Sequence, residues 1–253
     1  MAKRRRKYNR KRTQGRFSFL YKLLTFVVIC GAISLALALF FKIETIRVNG
    51  NSRYTQEEVL SASGITAGDN MFFLNKFRAA ETITAALPYV ETVQIRRQIP
   101  TTLQINVTEC MSPAAIKQDG KVWLISGGGK IIDCLSVSAW EKYPQIDGIE
   151  LLDPTLGQAI VATSEAGSVD VPLCALLQQL ETKNMLGDVQ AIHLEDSTVI
   201  TLRYLDRFDV IFGYDADFDY KLDYLQAVVA RLEVNEAGRI DMTQSDKASF
   251  IPA

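Results

Sequence analysis

The chain has 253 residues, with 28 basic and 29 acidic side chains and a formal net charge of −1. All ten basic residues up to Lys22 lie in a stretch without an acid, so the remainder carries 18 basic against 29 acidic residues, a net of −11. The near-neutral total therefore hides a basic tail and an acidic body, which excludes reading the chain as one uniform environment.

The tail holds Lys3, Arg4, Arg5, Arg6, Lys7, Arg10, Lys11, Arg12, Arg16 and Lys22, with Tyr8 the one aromatic beside the cluster. No zinc or helix-turn-helix pattern accompanies it. It reads as a topology signal that also touches anionic lipid headgroups, rather than as a nucleic-acid arm.

Leu23 to Phe41 follows, nineteen residues without a charge. As a helix this run covers roughly 28 Å, about the thickness of a bilayer's hydrocarbon core, and predicts a transmembrane helix. Thr25, Cys30 and Ser34 are compatible with it, because their polar groups can bond to the helix's own carbonyls. Just downstream, only Lys42, Arg47 and Arg53 are basic, diluted by Glu44. The excess upstream predicts a cytoplasmic N-terminus, with everything after Phe41 extracytoplasmic. The competing reading is a cleaved secretory signal with Ala36-Leu37-Ala38 as its site; the run is longer than a signal's apolar region, which favours an uncleaved anchor.

Four cysteines, Cys30, Cys110, Cys134 and Cys174, include no Cys-x-x-Cys pair. This argues against zinc and against a thioredoxin-like site. Three lie beyond the span, so at least one has no internal partner; small buried core residues are the expectation, with a Cys110–Cys134 bridge as the alternative. About 210 residues beyond the span suffice for one large or two small domains without disulfides.

From Lys42 onward, Ile46 and Val48 alternate with Thr45 and Arg47, as in a half-buried strand. Thr55-Gln56-Glu57-Glu58 is a capping box, and Gly64 can close that helix. A second helix is expected from Asn75 to Leu87-Pro88, with Phe77, Ala80, Ile83 and Leu87 as its apolar face. Val93 and Ile95 begin a strand, and Leu103, Ile105 and Val107 alternate in another. Two helices on one face of a three-stranded sheet would bury these sets.

Together, Ile46-Arg47-Val48-Asn49-Gly50, Thr55-x-Glu57-Glu58-Val59, Gly64-Ile65-x-x-Gly68-Asp69, Leu87-Pro88-Tyr89-Val90 and Val93-x-Ile95-x-Arg97-x-x-Pro100-x-x-Leu103-x-Ile105-x-Val107-x-Glu109 resemble a POTRA domain. Placed directly after one span with a basic tail, that domain is similar to the FtsQ family of cell-division proteins, called DivIB in Gram-positive bacteria. One departure is Glu109-Cys110-Met111-Ser112-Pro113-Ala114-Ala115, where the family often has Arg and Pro-x-Ala after the Glu; this blurs the domain junction and removes a basic side chain.

The second half is strand-rich. Asp119-Gly120-Lys121 is a hairpin signal. Gly127-Gly128-Gly129 is a tight turn and no phosphate loop, since the glycine spacing before Lys130 is wrong and Ile131 stands where Ser or Thr would hold magnesium. Pro144-x-Ile146-x-Gly148 and Gly157 before Ile160 resemble the family pattern. Asp170 is read as a helix cap with Pro172 in the first turn and Leu173, Leu176, Leu177 and Leu180 as the buried stripe. Three strands are expected around Ile192-His193-Leu194, Val199 to Tyr204 and Phe208 to Phe212, with turns at Asp196-Ser197 and Asp206-Arg207. A last helix, Asp217 to Asn235, presents Leu222, Leu225, Val229 and Leu232. Two short strand-like runs close the chain, around Ile240-Asp241-Met242 and Ala248 to Ile251, flanking Ser245-Asp246-Lys247.

The expected fold class is thus α+β: a basic tail (1–22), a single N-terminal transmembrane helix (23–41), a POTRA domain of order β-α-α-β-β (42–111) and a mixed, strand-rich β domain with two helices (112–253).

Chemistry is thinly supported. His193 is the one histidine and sits in an alternating strand, with no Gly-x-Ser-x-Gly before it. Cys174 lies in the leucine-rich helix and is expected to be buried and inert. Asp215, Asp217, Asp219 and Asp223 lack the glycine and closing glutamate of a calcium loop; they suit a helix N-terminus, with Asp217 and Lys221 as an i,i+4 pair. No catalytic, cofactor-binding or metal-binding residue is assigned, and no enzyme activity, cofactor, nucleic acid or small-molecule substrate is expected.

The family resemblance implies a divisome scaffold at the septum. It implies binding of the ectodomains of FtsB/DivIC and FtsL and an influence on septal peptidoglycan synthesis through them. The family uses the end of its β domain, which maps to Arg239–Thr243 or Ala248–Ile251. Strand addition at a sheet edge is the expected mode, and the candidate partner-binding residues are Ile240, Met242, Ala248, Phe250 and Ile251. The alternatives are an extracytoplasmic peptidoglycan hydrolase or thiol enzyme, and a POTRA-type chaperone for exported polypeptides using the edges at Ile43–Val48 or Val93–Val107.

Overall fold

The computed structural model describes residues 15–110, 113–164, 167–194, 198–244 and 247–253. The tail residues Lys3 to Arg12 with Tyr8, the junction residues Met111 and Ser112, the Asp196-Ser197 turn, and Ser245 and Asp246 lie outside the described residues. The chain forms two compact units.

The first unit comprises the chain through Ile46 together with Thr66–Leu74 and Arg97–Leu103. Helix α1 (Gly15–Phe40) covers the expected span up to its last residue but one and begins before it. Its stretch Phe19–Leu37 is long and apolar enough to cross a membrane, and none of it is buried against protein. Thr25 donates its hydroxyl to the carbonyl of Tyr21 (2.9 Å), so its polar group is satisfied inside the helix as the sequence suggests. Beyond α1, Ile43, Met71 and Leu103 are fully buried.

The second unit comprises 47–65, 75–96 and 104–253. Strand β1 (Thr45–Asn49) leads to α2 (Gln56–Ser63) and α3 (Lys76–Ala86), then to β2 (Val90–Gln98) and β3 (Thr102–Glu109). The three strands form a sheet of order β1-β3-β2. Helix α2 starts at the expected capping box, with Glu58 N–H on the Thr55 hydroxyl (3.2 Å) and Thr55 N–H on the Glu58 carboxylate (2.8 Å). Gly64 closes it in the left-handed conformation. Asn75 caps α3 by accepting from the amides of Phe77 and Arg78 (3.2 Å each).

The buried stripe of α3 departs from expectation. Ala79 and Ile83 face inward, while Phe77 is 72 % exposed. Residues 77 and 79 lie about 200° apart around a helix, so burying the small Ala79 turns Phe77 outward.

The rest is built on a nine-stranded mixed sheet. Its strands are β4 (Ala114–Gln118), β5 (Lys121–Ile125), β6 (Ile131–Ser136), β7 (Gln145–Asp147), then, after the small sheet of β8 (Glu150–Leu151), β9 (Ala162–Ser164) and β10 (Gly167–Ser168), strands β11 (Val189–His193), β12 (Val199–Tyr204), β13 (Phe208–Gly213), β14 (Gly238–Asp241) and β15 (Ser249–Pro252). The spatial order is β15-β14-β13-β12-β11-β7-β4-β5-β6. The β4–β5 hairpin turns at Asp119 and Gly120, both with positive φ (52° and 70°), as a two-residue primed turn demands. The β12–β13 turn centres on Leu205 and Asp206 (φ 54° and 56°), one residue earlier than expected.

Helices α4 (Asp170–Thr182) and α5 (Phe218–Val229) cover one face of this sheet. Leu173, Leu176, Leu177 and Leu180 are all fully buried, each contributing about 1.5–3 kcal/mol by removal from water. Asp170 is the first residue of α4 and not its cap; the Ser168 hydroxyl donates to its carboxylate. The last helix stops at Val229, earlier than Asn235. Arg207 supplies the reason: its Nη1 donates to the carbonyls of Glu233 (3.1 Å), Val234 (2.5 Å) and Glu236 (3.2 Å), holding that segment as a turn that feeds β14.

A smaller core of Tyr89, Cys110, Ala115, Val122, Leu124 and Ile132 backs β4–β6, so these strands are buried on both faces. Next to it, Tyr89 donates its hydroxyl to Asp133 (2.8 Å) and Arg53 stacks 3.6 Å above the Tyr89 ring. Lys130 Nζ donates to the carbonyls of Thr84 (2.8 Å) and Val90 (2.9 Å). Glu109, itself buried, accepts from the amides of Ser52 (2.9 Å), Arg53 (2.8 Å) and Tyr54 (3.2 Å) and from the Ser52 hydroxyl (2.8 Å). Burial pushes its carboxyl upward, but these bonds from Arg53, Ser52 and Tyr54 outweigh burial and hold it below the usual carboxylate range.

Candidate partner-binding edge

The C-terminal strand terminates the large sheet. On its inner side β15 pairs antiparallel with β14, matching Gly238 to Pro252, Arg239 to Ile251, Ile240 to Phe250 and Asp241 to Ser249. Among the described residues no strand pairs with its outer side. The amide of Ala253 donates to the carbonyl of Ala237 (2.9 Å), which fixes the alternation. Arg239–Ile251 and Asp241–Ser249 exchange ladder bonds, whereas the backbone groups of Phe250 and Pro252 point away from β14. Pro252 lacks an N–H and so loses nothing at that position. The outer edge offers the Phe250 N–H and carbonyl and the Pro252 carbonyl.

Side chains alternate in the same way. Phe250 faces the core: it packs against the main apolar cluster, and its ring lies edge-on to Phe208 with centroids 6.2 Å apart. Ile240 and Met242 are fully buried, on or just after a strand already paired on both sides. Ala248 is half-buried against the same core. Ile251, 57 % exposed, is the one of the five expected residues whose side chain is free to meet a partner. Arg239, Asp241 and Ser249 share its face by the strand alternation. Residue type alone does not single them out, although the period-two pattern through Ile240 and Ile251 carries the signal. Asp241 accepts from the Thr243 amide (3.0 Å) and hydroxyl (2.8 Å), which keep its carboxyl below its ordinary range.

Gly238 permits the pairing. Its φ is +156°, and a Cβ there would overlap the carbonyl oxygen of Ile251.

The candidates for chemistry are placed otherwise. His193 is partly exposed on β11, its Nδ1 3.5 Å from a carboxylate oxygen of Asp147. The Cys174 thiol is pushed up to about 11, chiefly by burial and then by Asp170, so it is protonated at neutral pH. Cys110 and Cys134 are not joined in a disulfide. Of the acidic cluster, Asp217 caps α5 through Tyr220 N–H (3.3 Å), and Asp219 and Asp223 both grip Lys183 (2.7 and 2.5 Å). Lys221 is buried and donates to the carbonyl of Gln244. Among the described residues no group of three His, Cys, Asp or Glu side chains could hold a metal ion.

An apolar N-terminal helix, a β-α-α-β-β domain and a mixed nine-stranded sheet ending in the C-terminal strand define a membrane-anchored POTRA-type protein. Residues 41–109 match the POTRA domain of FtsQ type, and residues 114–243 match the C-terminal region of cell division protein FtsQ/DivIB. The chain is 30 % identical to the cell division protein FtsQ of Syntrophotalea carbinolica over 80 % of this chain and 70 % of that one. It is 28 % identical to the cell division protein DivIB of Clostridium botulinum over 92 % and 88 %, and 25 % identical to that of Clostridium tetani over 77 % and 72 %. The chain belongs to the FtsQ/DivIB family of cell-division proteins. Strand β15 lies beyond the matched residues.

Proposed function

We propose that this protein is a non-enzymatic scaffold of the divisome, and that it binds the ectodomains of FtsB/DivIC and FtsL at the septum by strand addition along β15. Through that complex it influences septal peptidoglycan synthesis. The observation that carries the reading is the open outer edge of β15, which leaves an N–H and two carbonyls for a partner strand. The basic residues before Leu23 support a cytoplasmic N-terminus and extracytoplasmic domains. The division expected for the chain follows: tail 1–22, span 23–41, POTRA domain 42–111 and β domain 112–253.

The test is a pull-down of FtsB/DivIC from membranes with a photo-crosslinker at Ile251. Phe250→Pro removes the outward N–H, and Phe250→Leu keeps it together with most of the core packing. Loss of the partner with proline, and retention with leucine, supports the reading. Equal recovery with both overturns the edge assignment.

A further inference from the structure

The residues that leave α1 are fastened to a loop from later in the chain. Met71 N–H donates to the carbonyl of Phe41 (2.9 Å), Ile43 N–H to Asp69 (2.8 Å) and Gly68 N–H to Ile43 (2.8 Å). Lys42 and Asn70 form an antiparallel bridge. Asn70 also donates its side-chain amide to the carbonyl of Leu37 (2.8 Å), while its Oδ1 accepts from the amides of Phe72 (2.9 Å) and Phe73 (3.3 Å). Leu37 lies in the last turn of α1, where a helix C-terminus leaves carbonyls short of intrahelical partners. Asn70 therefore caps the span from outside, about 4.5 Å of helical rise before Phe40.

What this loop carries at that depth is apolar and faces outward. Phe72 is 40 % exposed and Phe73 73 %, beside Phe40 at 74 %. The Phe41 and Phe72 rings meet edge to face at 4.9 Å. The turn with Ile99, itself 65 % exposed, is tied to the same segment by Glu44 and Thr45, whose amides both donate to Thr101 (2.9 and 3.3 Å). Arg97 lies 5.9 Å over the Phe72 ring and donates to the carbonyl of Leu74 (3.1 Å). Lys42 and Arg97 are both exposed. Of the acids here, Asp69 is engaged by the Thr66 amide (2.8 Å).

A soluble surface seldom leaves large apolar side chains uncovered in such a set. We propose that Phe40, Phe72, Phe73 and Ile99 form a collar seated in the headgroup–acyl boundary of the leaflet on the C-terminal side of α1, with Lys42 and Arg97 reaching the lipid phosphates. The proposal rests on reading α1 as a membrane span. The occupant is lipid because the collar is continuous with the lipid-facing surface of the helix: one of its rings touches Phe41, and its loop is bonded to the helix's own last apolar turn. Apolar side chains at this depth, with basic ones extended toward the phosphates, is the arrangement an interface selects. The span is then held by a fixed footprint as well as by its own length.

The test uses the full chain in phosphatidylcholine–phosphatidylglycerol vesicles containing lipids brominated at shallow or deep acyl positions. Phe73→Trp, Ile99→Trp and Ile29→Trp each alter an exposed residue. The chain's own two tryptophans are subtracted by reading the fluorescence added over the unsubstituted protein. We expect the emission added at 73 and 99 to fall at least twofold with shallow bromines and less with deep ones, and the emission added at 29 to show the reverse. Quenching at 29 with none at 73 and 99 overturns the collar and leaves the span intact. Quenching at none of the three overturns the span and the collar with it. A blue shift at 73 that follows protein concentration and ignores bromine assigns the patch to a second copy, which also overturns the proposal.

Discussion

Gly238 faces the carbonyl of Ile251 so closely that a single added methyl group would overlap that oxygen. The partner-binding edge proposed for β15 thus depends on a residue of the neighbouring strand, outside the edge itself. Gly238→Ala is expected to displace β15 and to strain a backbone with φ +156°, at about 1–3 kcal/mol. The damage should be local. Hydrogen exchange at the Ser249 and Ile251 amides should quicken well before the melting temperature falls in proportion, and partner recovery should drop. Unchanged exchange would show that the strand tolerates the methyl group.

Glu109 stabilises the start of α2 only while ionised. Its four hydrogen bonds all come from donors, three of them backbone amides. Its pKa in the folded chain lies below its unfolded value, so its contribution is complete above the unfolded value of about 4.3 and disappears as pH falls through the folded one. Glu109→Ala strands these donors and should cost about 1–3 kcal/mol at pH 7. Denaturant unfolding of wild type and variant should therefore converge as the pH falls below that depressed folded value. A constant gap down to pH 2 would mean that packing, and not charge, is what the variant lost.

Much of this was readable in advance for a physical reason. The capping box at Thr55, the Asp119-Gly120 turn and the leucines of α4 are local patterns, and local chemistry decides them. The errors arose where a distant residue intervenes. Arg207 collects three carbonyls and ends α5 before the pattern Val229–Leu232 would. On α3 the apolar spacing points to Phe77 as core, whereas the small Ala79 is the residue that is buried. Phe250 shows the same limit at the candidate site. It stands among the candidate partner-binding residues, yet its ring belongs to the protein's own core and its backbone alone faces outward. Which strand ends a sheet is a matter of long-range order, and no spacing within Arg239 to Ile251 encodes it.

Glu181 behaves oppositely to Glu109. Burial raises its pKa first, and the carboxylate of Glu91 raises it further. Glu91 in turn has a buried oxygen without a hydrogen-bond partner, and Lys130 is the cation that acts on it. A raised carboxyl contributes its stability below the unfolded pKa and loses it as pH rises through the folded value. Glu181→Gln removes the repulsion and should raise the melting temperature at pH 7 by a few degrees, on the scale of about 2–4 °C per kcal/mol for a domain of this size. At pH 4 the two proteins should melt together. Scanning calorimetry at both values decides it, and a variant less stable at pH 7 would refute the repulsion.

Cys174 offers a direct test for thiol chemistry. Its sulfur lies against the Gly127–Gly129 turn so closely that a Cβ on Gly129 would overlap it. The thiol titrates near 11, so about one part in ten thousand is thiolate at pH 7. Maleimide should modify it far more slowly than a free cysteine under native conditions, and the rate should rise about tenfold per pH unit up to the range where the fold holds. In denaturant the rate should reach that of a free thiol. Rapid native labelling at pH 7, flat with pH, would instead reveal an activated thiolate and reopen the possibility of a thiol enzyme.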